Sequence, residues 1–184
     1  TGSSGIPEAN KAILDKAEYF LIEMNTFGGA VNFADSIRTL LLNSQIKSIV
    51  YINNNAASAG TLISLASDYI FMQTGASIGA ASVVNPQGEV MPEKYQSYMR
   101  GLMRATAEAK GRDPKIAEAF VDPTVSLPEW KEDGKILTFT ASEAVKANVI
   151  NAEVKNEKEV FQQLAINAPK VTAYQKTTVD HIIG

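Results

Sequence analysis

The stretch IKSIVYINNNAASAGTLISLASDYIFMQ, residues 46–73, decides the fold. IKSIVYIN (46–53) is a nearly unbroken apolar run of strand length, rich in β-branched residues. NNAASAG (54–60) is a turn of small residues. TLISLAS (61–67) reads as a buried helix and DYIFMQ (68–73) as a second strand. Strand, crossover helix and strand make a βαβ unit. Its strands are apolar throughout because both faces of a parallel sheet are covered by helices.

The pattern continues outward. EYFLIEM (18–24) predicts a strand, and TFGG (26–29) a turn. From Asn32, a good N-cap, residues Phe33, Ile37, Leu40 and Leu41 form one helical face. PEANKAILDKA (7–17) has helical spacing. On the other side, GASIGAASVVNPQGEVMP (75–92) is rich in glycine and small residues. Residues 93–110 form a long polar helix, with Tyr95, Tyr98, Met99, Leu102 and Met103 along one side. GRDP ends it, because proline disfavours helix at the residue before it. Further helices cover 114–120 and 157–165, and ASEAVKANV (141–149) is a short one capped by Thr140. VDPTVSLPEW (121–130) is irregular. KILTFT (135–140) and 170–175 read as strands. Alternating strands and helices give an α/β domain with a largely parallel sheet flanked by helices.

Composition narrows the function. The chain has 184 residues, 45% hydrophobic, with a net charge of −3 and scattered lysines and arginines. That fits one compact domain and carries no nucleic-acid footprint. There is no cysteine, so thiolate catalysis and cysteine-ligated zinc are excluded. The single histidine, His181, cannot build a triad or a multi-histidine metal site. No metal and no cofactor are expected. No apolar run reaches the ~18–20 residues of a membrane span. TGSSG (1–5) reads as a tag remnant or flexible leader.

Two turns follow strands, where sites form in open parallel sheets. In the second, Ser58 lies among alanines and a glycine at a helix start, where unpaired amides and the dipole favour a developing oxyanion. The simpler reading makes Ser58 an N-cap. In the first turn, Gly28 and Gly29 could aim backbone amides at the same point; an ordinary turn is the alternative. A serine nucleophile needs a base, and without histidine that is a lysine or a carboxylate. A lysine, ordinarily near pKa ~10.4, has to work from its neutral form. Lys94 opens the helix that carries Tyr95, Tyr98 and Met99, at an end that disfavours a cation. A solvated surface lysine is the plainer alternative.

Several other residues read as structural. The Asn53–Asn55 run belongs to a turn, and Ser64 and Ser67 to the helix core. Ser77 and Gly79 let the chain pass close to the helix after Ser58. Arg100, Arg104 and Arg112 make surface or interface pairs.

MNTFGGAVNFADSIR, INNNAASAGTLISLASDYIFM, GASIGAASVVNPQGEVMPEKYQSYMR, MRATAEAKGRDPKIAEAFVDP and LTFTASEAVKANVI occur together in the order and spacing of one family. From about Ala17 to Glu153 the chain resembles the serine-protease domain of the NfeD family, ClpP-class proteases encoded beside stomatin- and flotillin-like membrane proteins. The resemblance implies a ClpP/crotonase-like fold. It implies Ser58 of AASAG as nucleophile, Lys94 of MPEK as general base, and Gly28 and Gly29 in the oxyanion hole, with Ala59 N–H a further donor judged from its position. The family usually has proline where this chain has Phe27, which bears on the rigidity of the loop. A strand usually precedes the first helix; strand 170–175 or a partner would fill that edge. The implied organisation is a protease domain over 6–175 and a tail, 176–184, leading to a membrane segment. The implied setting is the extracytoplasmic side of a membrane-anchored bacterial protein. Hydrophobic segments of membrane-associated proteins are the implied substrates, stomatin- or flotillin-like proteins the partners, and a homodimer or larger homo-oligomer the assembly. Two rivals are a catalytically inactive scaffold for such membrane proteins and a crotonase-type acyl-CoA enzyme. The second would want a pocket carboxylate such as Glu89 or Glu93, and leaves the pairing of AASAG with MPEK unexplained.

Overall fold

The structure is a computed structural model that describes residues 16–173. A six-stranded sheet carries the fold: β1 (Tyr19–Thr26), β2 (Lys47–Ala57), β3 (Tyr69–Gln73), β4 (Ser77–Gly79), β5 (Thr138–Thr140) and β6 (Ala152–Val154). The helices are α1 (Val31–Asn43), α2 (Ala59–Leu65), α3 (Glu93–Ala109), α4 (Pro114–Ala119), α5 (Ala141–Lys146) and α6 (Glu157–Gln163). β2 is the hub. It pairs in parallel with β1, with β3 along Ile49–Ile52, and with β4 along Asn55–Ala57. β6 joins β3 in parallel, and β5 joins β4 antiparallel.

Side chains alternate across β2, so one strand serves two cores. Val50, Ile52 and Ala56 enter the main core with α1, α2, α3 and α4. Ile49 and Tyr51 enter a smaller cluster with Phe71, Val154 and Val160. Ser48 through Ile52 are all buried, as the apolar run requires. The irregular 121–130 segment is anchored by aromatic edges: Trp130 and Phe120 both pack edge-on to Phe139, at 5.3 and 5.7 Å between centroids.

The structure departs from the sequence reading at several points. β2 runs on through Asn53–Asn55, which are therefore strand and not turn. Two of the side chains bond to neighbouring strands, Asn53 to Glu23 of β1 (2.6 Å) and Asn55 to Ser77 of β4 (3.1 Å). β4 and β6, three residues each, carry no periodic signal and were not expected as strands. α1 starts at Val31 with Ala30 as N-cap and no side-chain cap, so Asn32 lies inside the first turn. The buried stripe of α3 is Gln96, Met99, Met103, Thr106 and Ala107, whereas Tyr95 and Tyr98 are exposed. Residues 170–173 form no strand, and 174–175 lie outside the described residues. The helix over 7–17 and the 176–184 tail also lie outside them, save Lys16 and Ala17, which are not helical. The Thr140 cap holds as a full capping box with Glu143. Among the described residues, no helix is long and apolar enough to cross a membrane.

Candidate active site

β2 ends at Ala57 and α2 begins at Ala59, so Ser58 alone makes the turn from strand to helix. Its backbone is left-handed in φ and far from the left-handed helical well in ψ (φ 55°, ψ −117°). For a residue with a Cβ this costs about 1–3 kcal/mol and marks a place where the surroundings dictate geometry. Those surroundings are visible. Ser58 N–H donates to Gly79 O (3.0 Å), and Thr61 N–H donates to Ser58 O (3.0 Å). The buried Thr61 hydroxyl reaches both Ala56 O and Gly79 O, each at 2.8 Å. Gly79 thus brings its segment against the start of α2. Ser58 occupies the N-cap position of α2, but its side chain makes no capping hydrogen bond, so capping does not account for a serine here. A sharp strand-to-helix turn of this kind presents a hydroxyl outward from the sheet.

Gly28 sits directly against that serine. A Cβ built on Gly28 would lie 2.8 Å from Ser58 Cβ and 3.2 Å from its Oγ, and φ at Gly28 is +131°. Only glycine satisfies both conditions. The Gly28 N–H is already engaged by Thr26 Oγ1 at 3.1 Å. Gly29 follows with open space around its α-carbon. Ala59 is the first residue of α2, whose amide has no carbonyl one turn earlier to bond.

Beside Ser58 runs a groove of about 270 Å³ lined by Phe27, Gly28, Gly29, Val31, Ala81, Val83, Val84 and Met99. Apart from backbone amides and the Ser58 hydroxyl, its wall is apolar. Phe27, at the edge of this groove, is 83% exposed. One wall is a small hairpin, 83–91, with Val84 and Val90 bridged antiparallel and an Asn85–Gly88 turn. Gln96 of α3 holds its base: the side-chain amide accepts from Val83 N–H (3.0 Å) and donates to Val83 O (2.7 Å) and Met91 O (3.0 Å).

Lys94 is the second residue of α3, five positions before Met99 of the groove. It is exposed, and its ammonium stands 4.8 Å from the centre of the Tyr95 ring. It is not among the residues lining the groove. The structure therefore brings Ser58, Gly28 and Gly29 together with Ala59 adjoining, and leaves Lys94 at the neighbouring helix start. Beside it, Glu93 pairs with Arg100, which also reaches Asp122 at 3.5 Å. Arg104 pairs with Glu118, so these two arginines are the surface pairs expected of them. Arg112 is different. It is half-buried and donates to the carbonyls of Leu65 (3.0 Å), Ser67 (3.1 Å) and Val149 (3.0 Å). Ser64 and Ser67 are buried; Ser64 bonds to Gly60 O within α2, whereas Ser67 lies just past the end of that helix and bonds to Ser64 O and Tyr69 O. Sequence reasoning missed Thr26 and Gln96. A threonine two residues before a glycine pair is a possible turn signal; a glutamine in a polar helix gives none.

A profile of the NfeD1b N-terminal domain family matches residues 6–174. The chain belongs to this family. Among its relatives is the membrane protein NfeD1b of Bacillus subtilis (strain 168), 31% identical over 157 residues, covering 85% of this chain and 36% of that protein. The membrane-bound protease PH1510 of Pyrococcus horikoshii is also 31% identical over 157 residues, covering 81% of this chain and 33% of its own length. The NfeD1b-type chain thus spans about a third of the length of the curated relatives it matches. Among solved structures, a lysine-to-alanine variant of the 1510-N membrane-bound stomatin-specific protease, in complex with a substrate peptide, superposes with a TM-score of 0.78. Its identity is 26%, over 96% of this chain and 86% of that one. ClpP1 from Listeria monocytogenes shares the fold alone, at 20% identity and a TM-score of 0.58 over 84% of this chain and 86% of that one. The α/β, ClpP-like fold expected from the sequence is therefore the fold of this NfeD1b domain.

Proposed function

We propose that this domain is a serine endopeptidase acting through Ser58 and Lys94. The observation that carries the reading is the strained Ser58 turn, with the Gly28–Gly29 turn pressed against it and an apolar groove alongside. Lys94 accepts the hydroxyl proton of Ser58 as Oγ attacks a peptide carbonyl carbon. The oxyanion is held by the N–H groups of Gly29 and Ala59; Gly28 serves the hole mainly by the space it leaves. Lys94 then gives the proton to the leaving amine, and a water, deprotonated in the same way, releases the acyl group and restores Ser58. For this, the Lys94 side chain swings from the Tyr95 ring toward Ser58 when a peptide occupies the groove. The apolar wall suits substrates with hydrophobic segments. The name of the 1510-N relative supports a stomatin-like partner. Membrane anchoring of the full-length protein, an extracytoplasmic location and a homo-oligomer that completes the groove belong to the same proposal.

One observation favours a second reading. Lys94 rests on Tyr95 and outside the groove lining. A domain that binds membrane-protein segments without cutting them would have the same groove. Digestion of an unbiased peptide library at pH 8, read by mass spectrometry, separates the two. The wild type is expected to cut, and Ser58→Ala and Lys94→Ala to leave every peptide intact. A wild type that binds apolar peptides as tightly as Ser58→Ala and cuts none would establish the second reading.

A further inference from the structure

Thr26 closes β1 and faces Ala56 of β2 across the sheet, just beyond a register shift. Its side chain is used at both ends. The hydroxyl accepts from Gly28 N–H and donates to Gly28 O, each at 3.1 Å. This closes a small ring that fixes the peptide planes on both sides of Gly28. The methyl points the other way: a Cβ on Gly60 would lie 2.6 Å from Thr26 Cγ2, so the methyl rests on the bare α-carbon of Gly60. Gly60 is the second residue of α2, two after Ser58. Gly28 in turn rests on Ser58 Cβ. One β-branched side chain therefore clamps the glycine turn to the first turn of the helix that carries the serine.

We propose that Thr26 is a positioning residue for the oxyanion hole: its hydroxyl sets the orientation of the Gly28–Gly29 peptide, while its methyl only packs on Gly60. This rests on the endopeptidase reading above. Thr26 touches neither the substrate nor the reacting atoms. Its effect reaches them through the Gly29 N–H, whose direction follows from the Gly28 peptide planes.

Two near-isosteric variants separate the ends of the side chain. Thr26→Val keeps the methyl and removes the hydroxyl; Thr26→Ser does the reverse. With a cleavable peptide found in the library digestion, Thr26→Val is expected to lower kcat by about 10- to 100-fold with KM within about twofold, since a small misplacement of an oxyanion donor costs rate and not ground-state binding. Thr26→Ser is expected to keep kcat within about threefold, because the hydroxyl ring survives. Phosphonylation of Ser58 by a fluorophosphonate, whose P=O oxygen enters the same hole, should slow in parallel with kcat. A folded Thr26→Val with wild-type kcat and phosphonylation rate, beside an inactive Ser58→Ala, overturns the positioning role and leaves the endopeptidase reading standing. A raised KM with unchanged kcat overturns it also. If Thr26→Val does not fold, Thr26→Ser decides: loss of kcat in the folded serine variant overturns the proposal. A wild type that neither cuts nor is phosphonylated overturns the endopeptidase reading, and this proposal with it.

Discussion

At position 28 a side chain has nowhere to go. The backbone holds φ +131°, and the first atom of any side chain would stand 2.8 Å from Ser58 Cβ. Both partners are fixed, Ser58 by its bond to Gly79 O and the glycine turn by Thr26. Gly28→Ala must therefore displace Ser58 or break the Thr26 ring. We expect Gly28→Ala to lose at least about 100-fold in peptide cleavage. Thermal melting should show a fold retained at a cost of about 1–3 kcal/mol. Cleavage at the wild-type rate would show that the turn does not serve the serine. AASAG and the glycine pair were legible as two turns that could face one point. The close contact of Gly28 with Ser58 Cβ was not, because strand pairing over long sequence separation sets it and no local pattern encodes it.

The hairpin 83–91 is the weakest element beside the groove. Its strands hold two exposed valines, and its base is closed by the Met91 N–H to Val83 O bond and by one buried side chain, Gln96, which is 8% exposed. Gln96→Leu keeps the volume and leaves Val83 N–H and Met91 O without their side-chain partner, while Val83 O keeps its bond from Met91 N–H. Orphaned groups of this kind cost about 1–3 kcal/mol in all, since water can reach some of them. Because Val83 and Val84 line the groove, KM should rise several-fold while kcat changes little. Denaturant melts and steady-state kinetics check both; an unchanged KM would remove the hairpin from the substrate groove. The long helices and β1 to β3 were readable from apolar runs and periodicity. The hairpin, β4 and β6 were not. Three-residue strands hold too few side chains for a period, and Asn53–Asn55 became strand because β4 pairs with that end of β2.

At the scale of the whole molecule, one charged cluster lies around Asp68, where β2 and β3 begin, at the opposite end of β2 from Ser58. Asp68, between α2 and β3, accepts from Ser48 N–H (2.8 Å) and Ser48 Oγ (3.0 Å) and pairs with Lys110 (3.0 Å). Burial pushes its carboxyl up, but the Ser48 and Lys110 bonds outweigh that and hold it down to about 2 from the usual 3.8. Arg112 nearby is driven down to about 10 by burial, with Asp68 opposing. The folded state thus holds the Asp68 charge more readily than the unfolded chain. That stabilisation is complete above pH 3.8 and fades as pH falls through about 2. Asp68→Asn should melt below the wild type at neutral pH, and the gap in Tm should close between about pH 4 and 2. A gap that stays constant across that range would show that the carboxylate charge contributes nothing to the fold.

The sequence alone determined the α/β class, the order of its long elements and the two turns to which the proposed chemistry is assigned. Each of these is a local property, because apolar period, chain reversal at glycine and helix start depend on neighbours in the chain. The tertiary structure decided what sequence distance hides. It set the φ 55° of Ser58, the Gly28 contact, the Thr26 clamp on Gly60 and the bracket at Gln96. It also placed Lys94 on Tyr95, outside the groove. These depend on which strand ends lie side by side, and only the packed sheet, with β2 at its hub, brings residues 26, 28, 58, 60 and 79 to one place.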